Sequence, residues 1–120
     1  MTPGIYLRKR REAARLSIAD VAAAIPTTPP LKEHLRMGWL DLIETDQTPA
    51  IFNTIVALHQ VVPFDLHVLV QLSIDGGTVP LLCPDCAATI SASGACSFCA
   101  DTAELDALVS RIEADAVRSA

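Results

Sequence analysis

The chain has 120 residues, of which 51% are apolar and 19% are charged, and this composition predicts a folded protein and excludes a disordered tail. The net charge of −5 is uneven, because residues 1–50 carry seven Lys/Arg and six Asp/Glu (+1), whereas residues 51–120 carry two and eight (−6). A polycation is excluded, and a nucleic acid could bind only at a local basic cluster around residues 8–15. No apolar run reaches the about 18 residues of a membrane span, and no signal peptide is recognisable, so we expect a cytoplasmic protein with reduced thiols.

The first two predicted helices carry local start signals and apolar stripes. An amphipathic pattern predicts the first helix over about residues 5–15. Ser17, followed three positions later by Asp20, is typical of an N-cap, so we expect the second helix to begin there. The expected buried stripe of this helix comprises Ile18, Val21, Ala22 and Ile25. The proline-rich segment 26–30 must end the helix, because proline lacks the backbone donor.

Three further helices are predicted before residue 74. The third covers residues 31–46, and its expected core stripe comprises Leu31, Leu35, Trp39 and Leu42, widened by Leu40 and Ile43. The fourth has Thr48 as N-cap and Pro49 at the first helical position. Its expected core side comprises Ile51, Ile55, Val56 and Leu58. The fifth begins near Pro63 or Asp65, and its expected buried residues are Leu66, Leu69 and Val70.

A linker is predicted at residues 75–80, where two glycines are followed by a proline. It separates a helical domain, residues 1–74, from a cysteine-containing module, residues 81–100, and a C-terminal amphipathic helix, residues 101–120. The apolar residues of that last helix fall on one face and comprise Leu105, Leu108, Val109 and Ile112. The predicted fold class is therefore mainly α.

The four cysteines form two Cys-x-x-Cys pairs and comprise Cys83, Cys86, Cys96 and Cys99. Two thiolates three positions apart on a tight turn can bind one metal while backbone amides point at their sulfurs, and two such turns complete a tetrahedral four-sulfur site. The spacing predicts one structural zinc ion with a closed ligand shell. The segment resembles a short zinc ribbon, although Ala87 stands where a glycine is usual. The alternatives are a redox pair, disulfides, free thiols and an iron–sulfur cluster.

Five short motifs follow one another within residues 5–72: Arg11-Glu12, Leu16-Ser17, Val21-Ala22, Ile43-Glu44 and Val56-Ala57-Leu58. In this order and spacing they resemble the lambda-repressor-like helix-turn-helix family, also called the XRE or Cro/repressor type. The resemblance implies a five-helix DNA-binding domain whose third helix enters the major groove. It also implies a homodimer that binds palindromic sites in double-stranded DNA.

Two departures from the family pattern bear on how DNA would be contacted. The stretch from Val21 to Glu44 is about eight residues longer than in the family, and Asp46 replaces the glycine after the Ile-Glu step. Counted back from Glu44, the family's base-contacting positions fall on residues that offer neither a donor fork for guanine nor an amide for adenine, namely Met37, Gly38, Trp39 and Asp41. We therefore prefer a register in which the extra residues lengthen the third helix at its N-terminus.

The DNA-contacting residues of this preferred register form two groups. Those expected on phosphates are Arg8, Lys9, Arg11, Arg15, Thr27 and Thr28, with Ser17 beside them at the start of the second helix. Those expected to read base edges are Lys32, His34 and Arg36.

The leading hypothesis is a sequence-specific DNA-binding transcriptional regulator, of the small bacterial or phage repressor type. The alternative is a protein-interaction adaptor that keeps the helix-turn-helix fold without binding DNA. It is favoured by the −6 charge of residues 51–120 and by the apolar positions on the third helix. A single-stranded nucleic-acid binder is the third option, but residues 79–99 hold one aromatic residue and no Lys or Arg. No catalytic constellation or small-molecule site is recognisable, so an enzyme is not expected.

Overall fold

The computed structural model of the chain is mainly α-helical, which confirms the predicted fold class. The structure describes residues 1–25, 31–74, 79–90 and 96–119, with side chains only as far as residue 116. Within these ranges there are six helices: α1 Pro3–Ala13, α2 Ile18–Ala24, α3 Glu33–Glu44, α4 Phe52–Val61, α5 Leu66–Ser73 and α6 Ser97–Ser119. The described helices include none that is both long enough and apolar enough to span a membrane. The chain divides into two units, Met1–Pro80 and Leu81–Ala120.

Side-chain caps fix the starts of α1 and α2. Thr2 accepts a hydrogen bond from the backbone N–H of Ile5 (3.2 Å), and Pro3 occupies the first helical position, where its missing donor costs nothing. The predicted N-cap of α2 is confirmed as a full capping box, because Ser17 Oγ accepts from Asp20 N (3.0 Å) and the Asp20 carboxylate accepts from Ser17 N (2.8 Å). The backbone N–H of Ser17 also lowers the pKa of the Asp20 carboxyl.

The core of the first unit lies where α3 packs against α1 and α2, with α5 on α1 and α4 on α2. Its buried apolar side chains are Tyr6, Leu7, Val21, Ala22, Ile25, Leu40, Ile43, Leu58, Val62, Phe64, Val68 and Leu69. The Tyr6 ring meets Phe64 edge to face, and its hydroxyl accepts a hydrogen bond from Asp65 N (3.0 Å). Burial raises the pKa of Tyr6, so its hydroxyl stays neutral in the core.

The core stripe predicted for α3 is confirmed at Leu40 and Ile43, which were expected to widen it, and is wrong along its main line. The buried residues are Leu40 and Ile43, whereas the three predicted leucines are exposed: Leu31 by 41%, Leu35 by 51% and Leu42 by 40%. Trp39 is half-buried. The helix also begins at Glu33, two residues after the predicted start, and Lys32 is its N-cap, so α3 does not extend as far back as the preferred register expects.

The end of α3 sets the start of α4. Asp46 adopts a left-handed conformation (φ 61°), and Asp46 N donates to Ile43 O (3.1 Å) while Gln47 N donates to Leu42 O (2.9 Å). These two bonds are those of a Schellman helix end. Thr48 N also donates to Leu42 O (3.2 Å), which draws Thr48 into the end of α3. The predicted N-cap at Thr48 is therefore wrong, and Ile51 occupies the N-cap of α4.

The predicted core faces of α4 and α5 need correction as well. In α4 the buried residues are Thr54 and Leu58, Ile55 is half-buried, and the predicted Ile51 and Val56 are exposed. In α5 the predicted start at Asp65 is confirmed as an N-cap, since its carboxylate accepts from His67 N (2.8 Å). The buried residues of α5 are Val68 and Leu69, whereas the predicted Leu66 and Val70 are exposed.

The second unit contains a short hairpin-like segment and α6. Leu82 and Thr89 form an isolated antiparallel bridge, and Ile90 N donates to Leu81 O (2.9 Å). The helix α6 begins at Ser97 rather than at residue 101, so it includes the last cysteine. Residues 75–78 of the predicted linker lie outside the described residues.

Candidate metal centre and candidate nucleic-acid interface

The four cysteines converge on one point. Their sulfur atoms all lie within 4.8 Å of one another, with 3.8 Å between Cys83 and Cys99 and 3.5 Å between Cys86 and Cys96. A tetrahedral metal with metal–sulfur bonds of about 2.3 Å separates its sulfurs by about 3.8 Å, so the cluster has the dimensions of a four-thiolate site. The four residues could thus bind one metal ion.

The first cysteine pair lies on a tight turn. Ala87 N donates to Cys83 O (2.8 Å), and Cys83 N donates to Ala88 O (2.8 Å). Ala87 itself has a φ of 62°, the left-handed conformation that a glycine adopts without strain. The backbone N–H groups of Cys86 and Asp85 donate to the Cys83 sulfur and lower the pKa of that thiol to about 7. Cys83 is therefore prepared to bind a metal as a thiolate.

The second cysteine pair lies at the start of α6. Cys99 N donates to the Cys96 sulfur (3.4 Å), and Ala100 N donates to Cys96 O (3.2 Å). The hydrogen bond with Cys86 raises the pKa of Cys99, and burial raises the pKa of Cys86. Four thiols this close cannot all ionise alone, because the thiolates repel one another. A dication supplies the charge that allows it.

The arrangement of the cluster favours a structural role for a bound metal. Cys83 and Cys86 are buried, and Cys96 and Cys99 are half-buried. Four protein sulfurs complete a tetrahedral shell and leave no open position for water or substrate.

In the first unit, Arg11 forms a two-pronged ion pair with Glu44. Its Nε and Nη2 donate to the two carboxylate oxygens at 2.8 and 2.9 Å, and its Nη1 donates to Leu16 O at 2.8 Å. The two side chains are only 13% and 11% exposed. The hydrogen bond with Glu44 raises the pKa of Arg11. All three nitrogens that could contact a phosphate thus donate hydrogen bonds within the fold, so we no longer expect Arg11 to contact DNA.

A second candidate contact, Arg36, also has a structural partner. Its Nη1 donates to Ile25 O (3.0 Å), which joins the end of α2 to α3. Its Nε is buried and has no hydrogen-bond partner among the described residues. The guanidinium therefore lies between two helices instead of on an outer face, so we no longer expect Arg36 to read base edges.

The other residues expected to contact DNA lie on α1 and at the starts of α2 and α3, apart from two threonines. Arg8 is exposed and forms a 3.9 Å ion pair with Glu12. Arg15 and Ser17 lie at the start of α2, and Lys32 and His34 are exposed at the start of α3. Lys9 is half-buried on α1, and Thr27 and Thr28 fall outside the described residues.

The positions that the family register assigns to base contacts are only partly accessible. Gly38 and Asp41 are exposed, whereas Met37 and Trp39 are half-buried. Sequence reasoning singled out Arg11 and Glu44 separately but missed their pairing. The two residues are 33 positions apart, and no periodicity connects them. Comparisons with models of known protein families, with curated proteins and with solved structures find no match to the chain.

Proposed function

We propose that the chain is a sequence-specific DNA-binding transcriptional regulator with a helix-turn-helix domain built from α1–α5 and a structural zinc site. The observation that carries this proposal is the hydrogen-bonded network of Arg11. That one side chain connects three of the motifs on which the family resemblance rests, because it binds Glu44 on α3 and the carbonyl of Leu16 just before α2.

The same network supports the placement of α2 and α3 as the DNA-binding pair. Arg11 ties α1 to α3, and Arg36 ties α3 to the end of α2. The N-terminal ends of α2 and α3 then carry Arg15, Ser17, Lys32 and His34, while Arg8 and Lys9 lie on α1. A recognition helix enters the major groove by its N-terminal residues. We therefore propose Lys32 and His34 as base contacts, and Arg8, Lys9, Arg15 and Ser17 as phosphate contacts, on palindromic duplex DNA bound by a homodimer.

Zinc is the proposed metal because of the ligand set. Four thiolates with the spacing of two Cys-x-x-Cys turns are typical of structural zinc sites, and the sulfur separations fit a tetrahedral ion. Because residues 81–100 can bury little apolar surface, the metal would supply much of the folding free energy of the second unit.

The DNA-binding proposal is tested by selection from random duplex DNA with zinc-loaded protein. We expect a palindromic consensus and an affinity that falls steeply with salt. Lys32→Glu should weaken binding to the selected site by about tenfold or more. Arg111→Glu on α6 changes the net charge equally and should leave binding within about twofold, since it lies outside the proposed surface. Absence of any enriched sequence would contradict the proposal.

A protein-interaction adaptor is the second candidate function, and one observation favours it. Leu35 and Leu42 are 51% and 40% exposed on α3, the helix proposed to enter the groove, and Leu31, two residues before its start, is 41% exposed. The spacing of Leu35 and Leu42 places them along one face of the helix. Under this alternative, Leu35→Ser would abolish binding of a protein partner, and the selection from random DNA would yield nothing.

A further inference from the structure

The helix α6 is exposed on every side over most of its length. Every residue from 103 to 116 is exposed, and 116 is the last residue of α6 whose side chain is described. An isolated helix of this length is marginal in water unless it packs against something. Among the described residues of the second unit, none covers residues 103–116.

One face of this bare helix is apolar. Its large side chains are Leu105 (57% exposed), Leu108 (47%), Val109 (43%) and Ile112 (59%). Positions i, i+3, i+4 and i+7 lie side by side on a helix, so these four residues form one continuous stripe. A stripe of this kind exposed to water is typical of a docking surface.

Acidic residues flank the stripe on both sides. At about 100° per residue, Glu104 and Asp115 fall on one side, and Asp106 and Glu113 fall on the other. Residues 103–116 carry four acidic residues and one basic residue, Arg111, which lies next to Glu104 on the same side and leaves that edge with one net negative charge. The surface is therefore an apolar centre with two negative edges.

This charge pattern decides between occupants. Two copies of α6 packed stripe to stripe would bring acidic edges together in either the parallel or the antiparallel orientation, and such like-charge contacts oppose pairing. An anionic membrane surface would repel the negative edges.

We propose that the stripe formed by Leu105, Leu108, Val109 and Ile112 docks a basic amphipathic helix of a partner protein. The aliphatic face of the partner covers the stripe, and its Lys or Arg residues lie against the acidic edges. This inference goes beyond DNA binding and does not depend on it.

The proposal is tested with zinc-loaded full-length protein and a synthetic helical peptide of about 20 residues that has a leucine stripe flanked by lysines. A second peptide carries glutamates at the same flanking positions. Fluorescence anisotropy should show that the lysine peptide binds, that its affinity falls as salt rises, and that the glutamate peptide does not bind. Equal binding of both peptides, or of neither, would overturn the proposal.

Variants of α6 separate the apolar and the charged contributions. Leu105→Ser with Ile112→Ser should weaken lysine-peptide binding by more than about tenfold, while circular dichroism shows an unchanged helix. Glu104→Gln with Glu113→Gln should weaken it by about fivefold. The matched control, Ser110→Lys with Ala114→Lys, also changes the net charge by +2, but on the opposite face of α6. It should change the affinity for the lysine peptide by less than about twofold.

Two other occupants would be revealed by the same proteins. Self-association of the wild type in sedimentation velocity that the double serine variant abolishes would assign the stripe to a second copy. Binding of the wild type to phosphatidylglycerol vesicles that the same variant abolishes would assign it to a membrane. Either result would overturn the proposal.

Discussion

At the scale of single residues, the ion pair of Arg11 and Glu44 is distinguished by its two short hydrogen bonds and its burial. A paired guanidinium and carboxylate that are nearly buried cost little while both are present, but either one alone is a poorly solvated charge. The exposed pair of Arg8 and Glu12, at 3.9 Å and with side chains 48% and 59% exposed, lacks this property. The two pairs therefore form an internal comparison of the same chemistry at different burial.

Glu44→Gln should destabilise the first unit by about 2 kcal/mol, because it leaves the Arg11 guanidinium without its counter-charge. Glu12→Gln, the same change in the exposed pair, should cost less than about 0.5 kcal/mol. Urea unfolding of the zinc-loaded chain, followed by circular dichroism, measures both. An equal loss of unfolding free energy in the two variants would show that burial does not increase the contribution of the Arg11–Glu44 pair to stability.

Local residue patterns could be predicted from the sequence, and distant pairings could not. The capping box of Ser17 and Asp20 depends on three consecutive peptide units, so the residue types alone indicate it. The cysteine spacing likewise predicts the cluster. The fates of Arg11 and Arg36 depend on Glu44 and on the carbonyl of Ile25, which lie 33 and 11 positions away. Without the fold, both arginines look like solvent-facing cations.

At the scale of helices and turns, the two residues that stand where a glycine is expected share one backbone conformation. Asp46 and Ala87 both adopt a φ near 60° (61° and 62°), the conformation that the replaced glycine would take. Asp46 gains in return, because its carboxylate accepts hydrogen bonds from the Thr2 hydroxyl and from Gly4 N (2.9 Å), which ties the end of α3 to the start of α1. At both positions the side chain differs from the expected glycine, but the backbone keeps the left-handed conformation.

The faces of α3 could not be chosen from periodicity. The sequence of residues 31–44 carries one apolar stripe through Leu31, Leu35 and Leu42 and another through Leu40 and Ile43, and both have helical spacing. Both were predicted to be core, the second as a widening of the first, but only the second is buried, on the side of α3 where Glu44 pairs with Arg11. Tertiary contacts made this choice, so no rule on local pattern could have made it.

Gly4 and Gly38 should respond oppositely to alanine. A Cβ at Gly4 would lie 2.6 Å from the carbonyl oxygens of both Ile43 and Glu44, whereas a Cβ at Gly38 meets nothing within 4 Å. Gly4→Ala should therefore destabilise the first unit by about 2 kcal/mol or more, because backbone must move. Gly38→Ala should stabilise it by about 0.5–1 kcal/mol through helix propensity.

Thermal unfolding of both alanine variants, with the wild type alongside, measures the two effects. Stabilisation by Gly4→Ala would contradict the close approach of α1 to the end of α3.

At the scale of the whole molecule, we expect each unit to be stabilised by a different kind of interaction. The first has an apolar core drawn from five helices and their connections. In the second, the buried side chains among the described residues are Cys83, Cys86 and Ala87, all at the first cysteine turn. So small a core cannot offset the entropy of ordering the segment without a metal.

Chelation of the metal should therefore unfold residues 81–100 and leave α1–α5 helical. Hydrogen exchange after treatment with a strong chelator should show loss of protection confined to the second unit, and added zinc should restore it. Loss of all helical signal in circular dichroism would contradict the independence of the two units.

The position of Cys99 has a consequence for how the chain responds to its surroundings. This residue belongs to the sulfur cluster and also to the first turn of α6, and forming the first turn is the costly step of helix formation. By mass action, the share of chains with a ready-made α6 then follows the occupancy of the cluster. Around the dissociation constant, about a tenfold rise in free zinc would take this share from a minority to a majority. The concentration of free metal would thus control the fraction of chains that can bind a partner through α6.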